Sequence, residues 1–178
     1  QLLISRGRIQ AVAIVMIFGF TVMGMLAYQT YTGEPPIPAH VTDTAGHVLF
    51  TRADILAGPG VFLRNGLMEY GSIFGHGAYL GPDFTADYLH RAALSATEFY
   101  GGESSDRAKL QTIVDFKTNR YDPAVDTLTY TPAQIHAFEQ LRRHYGEFFG
   151  DHTAKYGIRP GGIHDPENIR THTALFSG

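Results

Sequence analysis

Residues 9–28 form a nearly unbroken apolar run, including Ala11-Val-Ala-Ile-Val-Met-Ile-Phe-Gly-Phe20 and Val22-Met-Gly-Met-Leu-Ala27. As a helix the run rises about 30 Å, the thickness of a bilayer's hydrocarbon core. Gln10 and Thr21 are its polar interruptions, and neither is charged. Arg6 and Arg8 precede it, and Glu34 is the first charge after it. By the positive-inside rule the N-terminus is expected on the cytoplasmic side and everything beyond Tyr31 outside. A cleaved signal peptide would carry a shorter apolar core followed by a small-x-small site. Here the run is longer and passes into Tyr28-Gln-Thr-Tyr31, aromatics suited to an interface. A helix buried in a soluble core would show a polar face, and this one shows none. The reading is a retained anchor.

The remainder of the 178 residues is long enough for one domain with a sizeable core. A net charge of -3 without any lysine/arginine stripe argues against nucleic acid as a partner. There is no cysteine, hence no disulfide, thiolate nucleophile, cysteine-ligated zinc or Cys-x-x-Cys-His haem attachment. The redox compartment stays open, because an oxidising space permits cystines without requiring them. The first residue is Gln1 rather than a methionine, as expected of a piece of something longer.

Gly33-Glu-Pro-Pro-Ile-Pro38 is a stiff extended spacer that separates an anchor over 1–32 from a domain over 33–170. Val41 to Arg52 reads as a short hairpin turning at Thr44-Ala-Gly46. Thr51 caps a helix that Gly58-Pro59-Gly60 is expected to break. A helix follows from Thr85 to about Tyr100, with Tyr88, Leu89, Ala92, Ala96 and Phe99 at helical spacing. The next starts at Ser104 or Ser105 and is expected to bury Leu110, Ile113, Val114 and Phe116. Thr127-Leu-Thr-Tyr130 is β-prone. Thr131-Pro-Ala-Gln134 combines an N-cap, a proline at the first helical position and a capping-box glutamine. Ile135, Phe138, Leu141, Tyr145, Phe148 and Phe149 then make one apolar stripe, read as core. The end of the chain, 171–178, turns apolar again and is expected to begin a second membrane segment. The fold class is therefore mainly α, one transmembrane helix and then a helical domain with short β-hairpins.

Chemistry is sparse. Nine histidines fall in no ligand spacing, although His136, His144 and His152 recur every eighth residue. Asp83 and Asp87 read as helix N-terminal charges rather than paired carboxylates. No nucleophile elbow, P-loop or dinucleotide fingerprint occurs. The exception in texture is Tyr70-Gly-Ser-Ile-Phe-Gly-His-Gly-Ala-Tyr-Leu-Gly-Pro-Asp-Phe84. Its glycines let another backbone or a ligand approach closely, and its apolar residues suit a loop that lies against something. Its carbonyls could serve a hard cation such as calcium, which takes oxygen ligands. His76 within it could meet a charged group or simply make a capping or interface contact.

Residues 66–91, Gly-Leu-Met-Glu-Tyr-Gly-Ser-Ile-Phe-Gly-His-Gly-Ala-Tyr-Leu-Gly-Pro-Asp-Phe-Thr-Ala-Asp-Tyr-Leu-His-Arg, resemble the N-terminal region of the quinol-dependent nitric oxide reductases of the haem–copper oxidase superfamily. The resemblance extends over the anchor, the Pro-rich spacer, Leu49-Phe-Thr51, the Thr131 capping box and Thr171-His-Thr-Ala-Leu-Phe176. That region is itself similar to the small cytochrome c subunit of the cytochrome-dependent reductases, whose Cys-x-x-Cys-His would fall at Leu67, Tyr70 and Gly71. The resemblance thus implies a cytochrome-c-like domain with no haem c, its space filled by apolar side chains. It implies reduction of nitric oxide to nitrous oxide and water with electrons from a membrane quinol, in a bacterial inner membrane with the domain on the periplasmic face. Haem b, haem b3 and a non-haem iron would belong to a later catalytic transmembrane bundle of the same polypeptide, so no haem or iron ligand and no catalytic residue is assigned here. Gly77 and Tyr79 match the family's segment that gives oxygens to calcium at the interface with that bundle. The alternative is a free-standing membrane-anchored interaction domain without activity. A hydrolase would need a nucleophile–base pair that the sequence lacks.

Overall fold

The structure, a computed structural model, describes residues 5–33, 35–78, 80–150 and 162–177. Two compact units divide between Pro36 and Ile37. The first is one helix, α1 (Arg6–Thr32), capped by Ser5, whose side chain accepts from Arg8 N. It is long and apolar enough to cross a membrane, and none of its side chains is buried within the protein. Thr21 is tolerated in this apolar setting because its hydroxyl donates to the Ile17 carbonyl at 2.8 Å, leaving no bare polar group.

The second unit is mainly helical. Two hairpins, β1 (His40–Thr42) with β2 (Val48–Thr51) and β5 (Tyr121–Asp122) with β6 (Thr127–Thr129), join through a parallel β1–β6 pair into one sheet of order β2-β1-β6-β5. The first hairpin turns at Gly46, where φ is +89°, and Asp43 accepts from Ala45 N and His47 N across the turn. Asp126 ties the hairpins together by taking bonds from Ala39 N, Arg52 and the Tyr121 hydroxyl.

α2 (Arg52–Arg64) runs straight through Pro59, contrary to the break expected at Gly58-Pro59-Gly60. The reason is tertiary. α6 (Pro166–Ser177) crosses α2 so closely that a Cβ on Gly58 would lie 2.5 Å from the Leu175 Cβ. Arg170 of α6 clamps the start of α2 with two bonds to the Asp54 carboxylate, at 2.7 and 3.0 Å. The burial recovered in this contact outweighs the local cost of the proline. The apolar C-terminal stretch belongs to α6, with Thr171, His172, Thr173 and Ala174 all buried in this unit.

α5 (Pro132–Phe149) starts at the expected capping box: Thr131 N donates to Gln134 Oε1 at 2.9 Å and Gln134 N to Thr131 Oγ1 at 3.3 Å. Its stripe of Phe138, Leu141, Tyr145, Phe148 and Phe149 is buried, with Ile135 at the margin. Tyr88, Ala92 and Ala96 of α3 (Phe84–Phe99) pack as expected, but Leu89 and Phe99 face outward.

α4 (Asp106–Lys117) is capped by Ser105 and is inverted relative to expectation. Leu110, Ile113, Val114 and Phe116 are exposed, whereas Ala108, Thr112 and Asp115 are buried. The inward face is held by hydrogen bonds rather than apolar burial. Asp115 accepts from Tyr100 Oη at 2.5 Å, Thr131 Oγ1 at 3.0 Å and Arg120 Nη2 at 3.1 Å, and the Thr112 hydroxyl meets that of Thr97 at 3.1 Å. A buried carboxylate so fully paired fixes the helix's rotation and turns its apolar residues out.

Candidate functional site

The glycine-rich loop begins after α2 with a single 3₁₀ turn (Leu67–Glu69) and returns to α3 at Phe84. Between them, β3 (Ser72–Ile73) and β4 (His76–Gly77) form a minimal hairpin. Its two turn residues, Phe74 and Gly75, both have positive φ, +50° and +76°, the signature of a tight turn matched to strand twist. Ser72 also bridges Asp83 in parallel, so three passes of backbone lie side by side.

Glycine makes this stacking possible. A Cβ on Gly77 would fall 2.3 Å from the Gly71 carbonyl oxygen, one on Gly81 2.2 Å from the Tyr70 carbonyl oxygen, and one on Gly71 2.5 Å from the Pro82 carbonyl oxygen. Main-chain bonds run across the same contacts, from Ala78 N to the Gly71 carbonyl and from Ser72 N to the Pro82 carbonyl, both 3.1 Å.

Asp83 locks the assembly to α3. One carboxylate oxygen caps the helix by accepting from Ala86 N at 2.9 Å. The other accepts from Gly75 N at 2.6 Å and Ser72 Oγ at 2.7 Å. Burial works to raise its pKa, but these donors win and hold the carboxyl below the usual range. The reading of Asp83 as a helix-terminal charge holds, and its second role as the loop's clamp has no signature in the spacing. Asp87, in the first turn, meets Arg91 Nε at 2.8 Å and the Tyr145 hydroxyl at 3.3 Å.

Gly77 sits opposite Ser72, between the hydrogen-bonded pairs Ile73/His76 and Gly71/Ala78. Gly77 has a φ of +144° and is exposed. Tyr79 lies outside the described residues. The side chains presented here are apolar, with Phe74 77% and Leu80 79% exposed. His76 turns back, its Nδ1 3.0 Å from the Phe74 carbonyl.

Behind the loop, Leu67 is fully buried and Gly71 packs on the Phe84 ring. Phe84 belongs to an aromatic cluster whose centre is His172 of α6. Ring centroids of Tyr145, Phe149, Phe176, Phe84 and Phe62 lie 4.9, 5.1, 5.2, 5.7 and 6.2 Å from the imidazole. Neither ring nitrogen has a hydrogen-bond partner among the described residues, and burial pushes the His172 pKa down to about 3, so the ring is neutral. The sequence signal is the spacing Ile169, His172, Thr173, Phe176, which puts this histidine on α6's inner face.

The other histidines do not converge. His136 packs on Phe99, and His144 lies beside Asp87 at 3.9 Å, its pKa lowered by burial and by Arg91. His152 lies outside the described residues. Among the described residues no group of three or more His, Asp or Glu side chains could hold a metal.

No curated protein matches the chain. Residues 38–177, which begin one residue into the second unit and end with α6, match the family described as the cytochrome c-like domain of the nitric oxide reductase NorB. The mainly helical architecture and the coverage of the whole globular unit agree with that assignment, and the chain belongs to the NorB family of nitric oxide reductases through this domain.

Proposed function

We propose that the chain is the N-terminal part of a quinol-dependent nitric oxide reductase, held by α1 in the inner membrane with its globular domain on the periplasmic face, over the catalytic bundle of the same polypeptide. The supporting observation is the loop itself: a rigid, triply stacked backbone fixed by Asp83 that offers Phe74 and Leu80 outward. An apolar tip on a stiff loop is suited to a fixed partner surface. Haem b, haem b3 and non-haem iron, ligated in the bundle, supply the redox chemistry. In this reading the domain binds no haem c, since the sequence has no cysteine to attach one.

In this reading the loop also helps hold calcium through backbone oxygens at Gly77 and Tyr79. A backbone carbonyl at the exposed Gly77 suits a hard cation's preference for oxygen. Asp83 is already saturated by three donors, so the anionic ligands come from the bundle and the haem propionates. A cation there would join the two parts and offset propionate charge.

The test is metal content and nitric oxide turnover of the full-length membrane protein, wild type against Gly77→Val. The substitution forces a side chain against the Gly71 carbonyl without touching a haem ligand. Joint loss of calcium and turnover, with the protein still membrane-bound and its haem content unchanged, supports the clamp. Wild-type protein without calcium would leave the family standing and remove the metal role of Gly77 and Tyr79.

A further inference from the structure

The inverted helix α4 needs a partner for its outer face. Leu110, Ile113 and Val114, spaced i, i+3, i+4, form one stripe at 64%, 49% and 52% exposure, while the opposite face is committed to the Asp115 network. Reversing the rotation would bury the stripe but break those bonds, so the apolar face is outward by construction. Lys109 and Arg107 flank the stripe and Lys117 closes its C-terminal end. Arg107 and Lys117 have no carboxylate partner among the described residues, and Lys109 approaches only Asp106, at 3.8 Å. Long basic side chains beside an apolar stripe are the composition of a helix lying in a membrane interface, stems down and charges up among the headgroups.

The chain's path supplies the second argument. The globular unit starts at Ile37, whose carbonyl accepts from Arg52, and Ala39 N donates to Asp126 in the β5–β6 hairpin. That hairpin follows α4 after residues 118–120. In the chain this end of the unit follows α1 after residues 33–36, so wherever α1 is embedded the unit is covalently held at that membrane.

We infer that the outer face of α4 docks on the anionic lipid surface of the membrane in which α1 is anchored, a peripheral contact separate from the glycine loop. The inference rests on α1 being membrane-embedded and not on the calcium or haem reading.

The test uses the full-length protein in nanodiscs of phosphatidylcholine with phosphatidylglycerol, on a background free of other cysteines; residues 1–178 contain none. A nitroxide is placed at Ile113→Cys and, as a reference, at Glu147→Cys on the exposed side of α5. Docking predicts a severalfold higher ratio of oxygen to nickel-chelate collisions at 113 than at 147, and a fall toward the reference value in Lys109→Glu/Lys117→Glu. Equal ratios would place the face in water, and a label shielded from both quenchers would place it against protein; either overturns the inference. A ratio unmoved by the charge reversal would overturn the assignment to anionic lipid.

Discussion

Gly58 of α2 and Leu175 of α6 meet with no space between them: a Cβ on residue 58 would stand 2.5 Å from the Leu175 Cβ and 3.1 Å from the Thr171 carbonyl oxygen. Because Leu175 Cβ is tied to its backbone, it cannot swing aside. Gly58→Ala is therefore expected to destabilise by about 1–3 kcal/mol, despite the better helix propensity of alanine. Gly60→Ala is the matched control. Its new methyl would meet only the mobile end of Arg64, at 3.3 Å, so it should be neutral or stabilise by up to about 1 kcal/mol. Thermal unfolding of the two variants in detergent, followed by near-UV circular dichroism, checks the contrast.

His172 makes stability depend on pH. Its folded pKa is about 3 against 6.5 when exposed, so between these values the unfolded chain carries a proton that the folded one lacks. Stability falls as pH drops below 6.5, by about 1.4 kcal/mol per unit from this residue, and the effect saturates below the folded pKa. His172→Phe should remove that slope from denaturant melts taken at a series of mildly acidic pH values. An unchanged slope would assign the acid sensitivity to other groups.

Asp115→Ala would strand the Tyr100 and Thr131 hydroxyls and the Arg120 guanidinium around a buried gap. Loss of one partner from a buried charge pair costs about 3–5 kcal/mol. Beyond that loss, α4 would be free to rotate and bury Leu110 and Val114. Fluorescence of a dye that binds exposed apolar surface is expected to change in this variant, a readout simple destabilisation of another helix would not give.

Asp83→Asn should separate the two jobs of that side chain. An amide still offers one oxygen to Ala86 N, but its NH₂ cannot accept from Gly75 N and Ser72 Oγ. The expected result is a cost of about 1–3 kcal/mol with helix content unchanged. The cost should appear locally, as faster amide exchange at residues 72–78.

What the residues alone disclose is whatever is decided within a few positions. The Thr131 capping box and the α5 stripe depend on neighbours at i+3 and i+4, and both are present. The loop's glycines announce a close approach, yet not that the approaching groups are the carbonyls of Tyr70, Gly71 and Pro82. Gly58 has the local look of a helix break because its reason, Leu175, lies at the other end of the chain. α4 comes out inverted for the same cause: Asp115 looks like a surface charge until Tyr100, Arg120 and Thr131 are brought around it. The parallel β1–β6 pair, joining His40 to Thr127, has no local signature at all.

The crossing of α2 by α6 also sets a schedule. The two helices are separated by roughly 100 residues, so at about 5–20 residues per second a growing chain waits on the order of ten seconds between making α2 and making its partner. Throughout that interval Phe62 can meet the Phe84 ring, and Ile55 the cluster of Phe50 and Phe138, but the crossing at Gly58 stays empty and His172 has not yet arrived to complete the aromatic cluster. The core is therefore completed only when the last helix of the domain is made. A translational pause or truncation before residue 171 would release a chain already fixed to its membrane with its core still open.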